Sequence, residues 1–86
     1  MELKWLEDLL ALLEEKSITR AAERRHVTQP AYSRRVKQIE DWLGVELVNR
    51  ATKPVNIRPI GLAMEADVRD LVNRFYAIRN KAHENQ

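Results

Sequence analysis

Residues 28–44 read Thr-Gln-Pro-Ala-Tyr-Ser-Arg-Arg-Val-Lys-Gln-Ile-Glu-Asp-Trp-Leu-Gly, and they predict one helix with clear ends. Thr28 is a suitable N-cap because its hydroxyl can accept a backbone N–H. Pro30 suits the first turn, where the N–H groups have no helical partners. Gly44 follows the last apolar residue, where a left-handed residue often ends a helix. The stretch therefore predicts a helix over residues 28–43.

The two faces of this predicted helix differ in chemistry. Its apolar residues recur at spacings of four, three and four, which predicts one buried stripe. They are Tyr32, Val36, Ile39 and Leu43. The opposite side carries Gln29, Ser33 and Lys37, with Pro30 and Arg34 beside them. Residues 28–38 include three basic side chains and no acid, so this face could enter the major groove of DNA. An ordinary solvated helix face is the alternative.

Composition limits the class of protein. The 86 residues suffice for one domain, and a chain this short buries only about 60% of its unfolded surface, which leaves little room for a catalytic cavity. Charged residues make up 33% and hydrophobic residues 44%, as in a globular domain. The absence of cysteine excludes disulfides, thiol catalysis and cysteine–zinc sites. The two histidines lie 57 positions apart without other ligands, so neither a metal nor a cofactor is predicted.

Positive charge is concentrated in the middle of the chain. Residues 1–16 carry two basic and five acidic side chains (net −3), whereas residues 17–42 carry six basic and three acidic ones (net +3). Residues 43–60 add three basic and one acidic (net +2), and residues 61–86 carry four of each. This segregation predicts that the middle of the chain meets a polyanion.

Residues 2–16 predict a first helix that serves as scaffold. Its apolar stripe is Leu3, Leu6, Leu10 and Leu13, widened by Trp5, Leu9 and Leu12. The charged residues that we expect to face solvent are Glu2, Lys4, Glu7, Asp8, Glu14 and Glu15.

A second, short helix is predicted to run to about Arg25, with Ser17 or Thr19 as its N-cap. Its inward face is small and consists of Ile18, Ala21 and Ala22. The chain breaks at His26–Val27, only a few residues before the next helix. Two short helices joined by a tight turn are typical of a helix-turn-helix, and any αα-hairpin is the alternative. The turn lacks the glycine that is often found there.

After Gly44 the apolar spacing changes to that of a β-hairpin. The β-prone residues are Val45, Leu47 and Val48 before a turn at 49–54, and Val55 and Ile57 after it. We call this predicted hairpin the wing, and Arg50 and Lys53 lie at its tip. Because an isolated hairpin is only marginally stable, the wing must pack on the helices, through Leu47 and Ile57. A basic wing can follow phosphates or enter the minor groove.

Residues 60–84 predict a long last helix with an apolar seam. The seam repeats at four, three, four, three and four, nearly three heptads, and consists of Met64, Val68, Leu71, Phe75, Ile78 and Ala82. A domain of this size does not need so long and regular an edge for its own core, so the seam predicts a symmetric dimer. The alternative is that this face packs on the N-terminal helix.

The assembled motifs resemble the DNA-binding domain of the LysR-type bacterial transcriptional regulators. The resemblance is carried by Ser17-Ile-Thr-Arg-Ala-Ala22, Thr28-Gln-Pro-Ala-Tyr-Ser-Arg34, Ile39-Glu-Asp-Trp-Leu-Gly-Val-Glu-Leu47 and Arg50. It implies a mainly α fold: a winged helix-turn-helix over residues 1–59, then a linker helix over residues 60–86 that pairs two subunits. It also implies a cytoplasmic bacterial regulator whose effector-binding domain is absent here, so that the chain is one part of a longer protein.

Three positions depart from the family pattern. Arg25 replaces a usual apolar residue, often leucine, and Val48 replaces a common phenylalanine. Arg58 replaces the threonine that usually caps the linker helix, and it adds positive charge near the wing. None of the three is a residue that the resemblance places on DNA.

The resemblance implies that the DNA contacts are Gln29, Pro30, Ser33 and Arg34 from the recognition helix and Arg50 and Lys53 from the wing. The chemistry agrees, because a glutamine amide can pair with adenine and an arginine fork with guanine. The further residues expected to contact phosphates are Thr28, Arg20, Arg35 and Lys37. Tyr32 is expected in the core, His26 in the turn, and Trp42 in packing.

The sequence thus predicts sequence-specific binding of double-stranded DNA, with each subunit of a dimer contacting one half of an interrupted palindrome. One alternative is a helical module that docks its basic helix on an acidic protein partner. Another is an architectural protein that binds DNA without sequence preference. An enzyme is not expected, since the chain lacks paired carboxylates on an apolar site and a glycine-rich loop.

Overall fold

The computed structural model describes residues 2–85, and both terminal residues of the predicted domains, Met1 and Gln86, lie outside that range. Its elements, in chain order, are α1 Leu3–Glu15, α2 Ile18–Arg24, α3 Gln29–Leu43, β1 Val48–Asn49, β2 Asn56–Ile57 and α4 Pro59–Glu84. This is the predicted mainly helical architecture, with a two-stranded wing and a long C-terminal helix.

The helix ends follow from their capping residues. The Ser17 hydroxyl accepts the Arg20 N–H at the start of α2 (3.2 Å), and the Thr28 hydroxyl accepts the Ala31 N–H at the start of α3 (3.3 Å). Gly44 ends α3 with φ of 79°, in the left-handed region that glycine enters without strain. The predicted boundaries of α3 are therefore confirmed.

The turn between α2 and α3 contains a left-handed residue that is not glycine. His26 has φ of 59° and lies where helix-turn-helix proteins often carry glycine. Its N–H donates to the Glu23 carbonyl, and the next N–H, of Val27, donates to the Ala22 carbonyl. These two bonds hold the tight turn, so His26 is a turn residue, as predicted.

The core forms two adjoining clusters on either side of α1. One joins α1 to α3, the wing and α4, and it contains Leu6, Leu9, Leu10, Leu13, Ile39, Leu47, Val68 and Val72. The other joins α1 to α2, α3 and the wing, and it contains Ala11, Leu12, Ile18, Ala21, Ala22, Tyr32, Val36 and Val48. Because α1 contributes to both, it is the central helix of the domain.

The wing is shorter than predicted. β1 and β2 pair antiparallel in the register Val48↔Ile57 and Asn49↔Asn56, and Val45 is exposed outside the strand. The turn is held by the Asn49 side chain, which accepts the Ala51 N–H at 3.0 Å. As predicted, the wing packs on the helices through Leu47, which is fully buried, and Ile57, which touches both clusters.

The seam of α4 divides between the core and the surface. Val68 is buried against α1 and Met64 packs on the same cluster, as the alternative of packing on the N-terminal helix expected. Leu71, Phe75 and Ile78 are 46%, 41% and 69% exposed, and Ala82 is exposed as well.

Two predictions about single side chains are wrong. Asp8 was expected in solvent but is fully buried, because α2 and α3 cover the face of α1 on which it lies. Trp42 was expected to pack, yet it is 61% exposed, since it lies beside the buried stripe of α3 rather than within it.

Candidate nucleic-acid interface

The exposed face of α3 carries the predicted recognition residues. Thr28, Gln29, Pro30, Arg34 and Lys37 are exposed and Ser33 is half-buried. Tyr32, Val36 and Ile39, on the opposite side, are at most 1% exposed and anchor the helix in the core. The polar face therefore projects from a rigid base.

The four basic side chains Arg20, Arg34, Lys37 and Lys53 form no ion pair within residues 2–85. All four are exposed. The first turn of α3 carries no acid, so the positive end of its dipole is not neutralised locally. These features together make an electrostatic surface suited to phosphates.

The wing lies beside α3 and brings two basic residues close to it, one near the start of α3 and one near Lys37, two turns later. Lys53 and Gln29 line one shallow cleft together with the start of α2. Arg50 and Lys37 line a second cleft, which also carries Asp41 and Glu46. The structure thus brings each predicted wing residue beside a predicted recognition residue.

Arg50 is held by a carboxylate of the recognition helix. Its two terminal nitrogens, Nη2 and Nη1, lie 2.7 and 3.4 Å from Glu40, and Arg50 remains 41% exposed. Glu40 is 5% exposed and also accepts the N–H groups of Leu47 (2.7 Å) and Val48 (3.4 Å). Burial alone would raise the pKa of Glu40, but the bonds from Arg50 and Leu47 lower it below its usual 4.5. Glu40 therefore fixes the wing and its arginine to α3.

Arg35, a predicted phosphate contact, is half-buried and points toward α1. Its Nη1 lies 3.5 Å from Oδ2 of buried Asp8, and the side chain is 30% exposed. The Tyr32 hydroxyl donates to the Asp8 carbonyl at 2.6 Å. Burial, and then the Asp8 charge, raise the pKa of Tyr32, so its hydroxyl stays protonated and can donate. Arg35 and Tyr32 thus fix α3 on α1.

Sequence reasoning missed the roles of Asp8 and Glu40, although the spacing held a signal for both. Ala11 and Leu12 lie one turn after Asp8 on the same helical face, and both are buried. Val36 lies one turn before Glu40 and is also buried. A carboxylate in line with buried residues is a candidate for burial, and a buried carboxylate needs partners.

These elements define a winged helix-turn-helix domain with an exposed basic recognition helix and a long projecting helix. The profile of the family described as "Bacterial regulatory helix-turn-helix protein, lysR family" matches residues 3–61. The chain belongs to this LysR family of bacterial regulatory proteins.

Two curated relatives carry regulator names. The chain is 38% identical over 74 residues to the HTH-type transcriptional regulator YjiE of Escherichia coli K12, covering 86% of this chain and 24% of the relative. It is 39% identical over 61 residues to the HTH-type transcriptional regulator BenM of Acinetobacter baylyi, covering 71% of this chain and 20% of the relative. The chain thus spans about a quarter or less of these relatives' length.

Solved structures with similar backbones include DNA complexes. Vibrio fischeri DarR in complex with DNA aligns with a TM-score of 0.85 at 44% identity, covering 98% of this chain and 29% of that one. The BenM DNA-binding domain on benA site 1 DNA aligns at 0.86 and 30% identity, covering 98% and 94%. In the described part of this chain, no helix has the length and apolar character needed to cross a membrane.

Proposed function

We propose that this domain binds a specific sequence of double-stranded DNA, with α3 in the major groove, as the DNA-binding part of a transcription regulator. The observation that carries the proposal is the exposed face of α3 from Thr28 to Lys37, which is polar and basic, free of acid, and fixed from behind by buried Tyr32 and Val36. A rigid helix of this chemistry fits the width and the hydrogen-bonding groups of the major groove.

Individual side chains divide into specifying and positioning contacts. Gln29 can bond the adenine edge, Pro30 can meet a thymine methyl group, and Arg34 can fork onto guanine. Ser33 is short and can bond a base or a phosphate. The contacts that position the domain on phosphates are Thr28, Arg20, Lys37, Arg50 and Lys53.

Arg35 and Arg50 have partners within the chain, which changes their expected roles. Glu40 fixes the orientation of the Arg50 guanidinium, whose remaining N–H groups are still free to donate to a phosphate. Arg50 would therefore act as a pre-oriented phosphate contact. Arg35 contributes mainly by holding α3 against Asp8. We therefore expect Arg35 to be the weaker of these two DNA contacts.

The domain is proposed to act as a symmetric dimer through α4. Leu71, Phe75 and Ile78 are exposed on one side of α4, and Leu71 and Phe75 line an apolar groove against α1. Exposed Trp42 lines that groove with Leu71 and Phe75. Exposed apolar surface of this kind is suited to burial against a second copy, and two copies would contact the two halves of an interrupted palindrome.

The proposal extends to the setting of the domain. The relatives named above are several times longer than this chain. From the resemblance to the LysR-type regulators, we propose that a further domain of the whole protein binds a small-molecule effector. We also propose a cytoplasmic location, since bacterial transcription takes place there.

The test begins with selection of a binding site from a randomised duplex library, followed by fluorescence anisotropy on the selected and a scrambled duplex. Gln29→Ala or Arg34→Ala should cost about 1–3 kcal/mol on the selected site and much less on the scrambled one. The matched control for Arg34 is Arg79→Ala, an exposed arginine near the far end of α4. Equal losses on both duplexes would contradict sequence reading by these residues.

Sedimentation equilibrium tests the dimer. Phe75→Glu and Ile78→Glu should shift the 86-residue chain toward monomer, because each places a charge in the seam. Asn80→Glu adds the same charge on a different face of α4 and should leave the association unchanged. A wild-type chain that stays monomeric with and without an inverted-repeat duplex would contradict the dimer.

A further inference from the structure

Glu14 of α1 joins two other helices through a single carboxylate. Arg24 Nη2, at the end of α2, lies 2.8 Å from Oε1, and Arg69 Nε, in α4, lies 2.8 Å from Oε2. The Arg24 guanidinium, against the effect of burial and with help from Arg69, lowers the pKa of Glu14. The carboxylate is therefore charged at neutral pH and holds α2 and α4 together.

Arg69 has a second carboxylate partner on its own helix. Its Nη2 bonds Glu65, one turn earlier in α4, and Lys16 Nζ lies 3.8 Å from the same Glu65 side chain. The Arg69 guanidinium is thereby held between two carboxylates, and its direction is fixed more firmly than a single surface pair would allow.

The buried residues of α4 end at Val72, near the middle of the helix, although Phe75 and Tyr76 still lie beside α1. Gly61, Val68 and Val72 are its buried residues, whereas everything described after Val72 is exposed. The 26 residues of α4 span about 39 Å, so the 12 residues 73–84 project about 18 Å beyond the last buried contact. Any change in the angle of α4 at the domain is therefore magnified at its far end.

The buried residues of α4 lie close to one line, and a helix resting on a line can roll about it. At 100° per residue, Arg69 lies on one flank of that line and Leu71 and Phe75 lie on the other. The bond from Arg69 to Glu14 opposes this roll. Such a roll would turn the apolar flank with Leu71 and Phe75, and it would therefore change the angle at which the α4 helix of a second copy packs against it.

We propose that the Arg69–Glu14 pair is a positioning contact that sets the spacing between the two DNA half-sites. The inference rests on the proposed function, in which two copies associate through α4. In such a dimer, the separation of the two α3 helices depends on how each α4 leaves its domain, and that separation selects the half-site spacing. Neither residue touches DNA in this arrangement; both act through the orientation of α4.

The test compares duplexes that carry the selected inverted repeat with its selected spacer and with spacers longer or shorter by one and two base pairs. Kd is measured by anisotropy for the wild-type chain, Arg69→Gln and Glu14→Gln. Matched controls are Arg74→Gln on α4 and Glu23→Gln on α2, since both residues are exposed and form no ion pair within residues 2–85. A duplex with a single half-site reports the affinity of α3 alone.

The wild-type chain and both controls should prefer one spacer. Loss of a partly exposed ion pair changes the equilibrium between two orientations of α4 by roughly threefold. A dimer contains two copies of the pair, so the ratio of Kd values between the disfavoured and the favoured spacer should fall about tenfold in Arg69→Gln and Glu14→Gln. Their half-site Kd and dimer dissociation constant should stay within about twofold of wild type, and Arg69→Lys should restore part of the preference.

Three outcomes would overturn the inference. An unchanged spacer preference in both variants would show that the pair does not set the spacing, while the proposed function stands. An equal loss on the single half-site would show that the pair acts on α3 itself. A wild-type chain indifferent to spacer length would overturn this inference together with the proposed dimer.

Discussion

Nε of Arg25 lies 2.7 Å from Oδ1 of Asp8, a carboxylate that is fully buried in the helical core. Arg25 also reaches Glu7 (3.4 Å), and Arg35 approaches the second Asp8 oxygen at 3.5 Å. Arg25 occupies a position where the resemblance to the LysR family predicts an apolar residue. The pair explains that departure, because an arginine there neutralises a charge that the core could not otherwise hold.

Arg25→Leu should therefore destabilise the domain although it introduces the apolar residue that the family resemblance predicts there. We expect a loss of about 2–4 kcal/mol, since Asp8 keeps only the longer contact with Arg35. Asp8→Leu with Arg25→Leu should recover most of it, because apolar replacement of both partners removes the desolvation cost. Urea unfolding of the wild type, Arg25→Leu, Asp8→Leu and the double variant, all at the same protein concentration, gives the coupling energy between the two residues. Simple additivity of the two substitutions would contradict the pairing.

Glu40→Gln should weaken the junction of α3 with the wing. The substitution replaces a carboxylate that accepts from Leu47, Val48 and Arg50, and the expected loss is about 1–3 kcal/mol in urea unfolding at pH 7. Asp41→Asn, at an exposed neighbour, is the control and should change stability little.

The same pair predicts a pH dependence. The pKa of Glu40 in the folded domain is below its usual 4.5, so its contribution is complete above that value and disappears as the pH falls through the folded pKa. The difference in free energy of unfolding between wild type and Glu40→Gln should therefore narrow as the pH falls below 4.5 and through the lower folded pKa. A gap that stays constant from neutral to acid pH would show that the ionised form of Glu40 is not what stabilises the wing.

The helix boundaries and the apolar packing could be predicted because they depend on local signals. Thr28 and Gly44 mark the ends of α3 by their own chemistry, and Tyr32, Val36 and Ile39 mark its buried stripe by their spacing. The opposite face of α3 is the candidate site, and its exposure follows from the same helical spacing.

The ion pairs could not be predicted, because they join residues that are far apart in sequence. Asp8 meets Arg35 across 27 positions and Glu14 meets Arg69 across 55. Charge alone placed Asp8 in solvent, since its burial depends on how α2 and α3 cover α1. Similarly, the contact between Arg50 and Glu40 joins the wing to α3 across 10 positions, and neither residue's local pattern indicates it.

His26→Gly should stabilise the domain. His26 has φ of 59°, where a side chain costs about 1–2 kcal/mol and glycine pays only its greater chain entropy, so a net gain of roughly 0.5–1 kcal/mol is expected. His26→Val should have the opposite effect, because a β-branched residue is strained further in this region. Thermal unfolding of the three proteins checks the order. A glycine variant that is less stable than wild type would show that the His26 side chain itself stabilises the turn.

Gly61→Ala should destabilise the start of α4. A Cβ at Gly61 would lie 2.7 Å from Ile57 Cγ2 and 3.3 Å from Leu13 Cδ2, so the helix would be pushed from the wing and from α1. We expect a loss of about 1–3 kcal/mol in urea unfolding, despite the better helix propensity of alanine.

Ile57→Leu provides the matched test, because leucine lacks the branch that clashes. The loss caused by Gly61→Ala should be smaller in the Ile57→Leu background than in wild type. Gly44→Ala is the second comparison, since nothing lies within 4 Å of its added Cβ and only its φ of 79° is unfavourable. An equal effect of Gly61→Ala in both backgrounds would place the clash elsewhere.

Lys53→Ala should weaken DNA binding without changing sequence preference. Lys53 is exposed at the wing, close to Gln29, and within residues 2–85 it has no carboxylate partner, so its charge is available to a phosphate. The slope of log K against log salt should fall by about 1, on the selected and the scrambled duplex alike. Lys81→Ala, at the far end of α4, makes the same change in net charge and should leave the slope unchanged. A loss confined to the selected duplex would instead make Lys53 a base-reading residue, and the wing would then enter the minor groove.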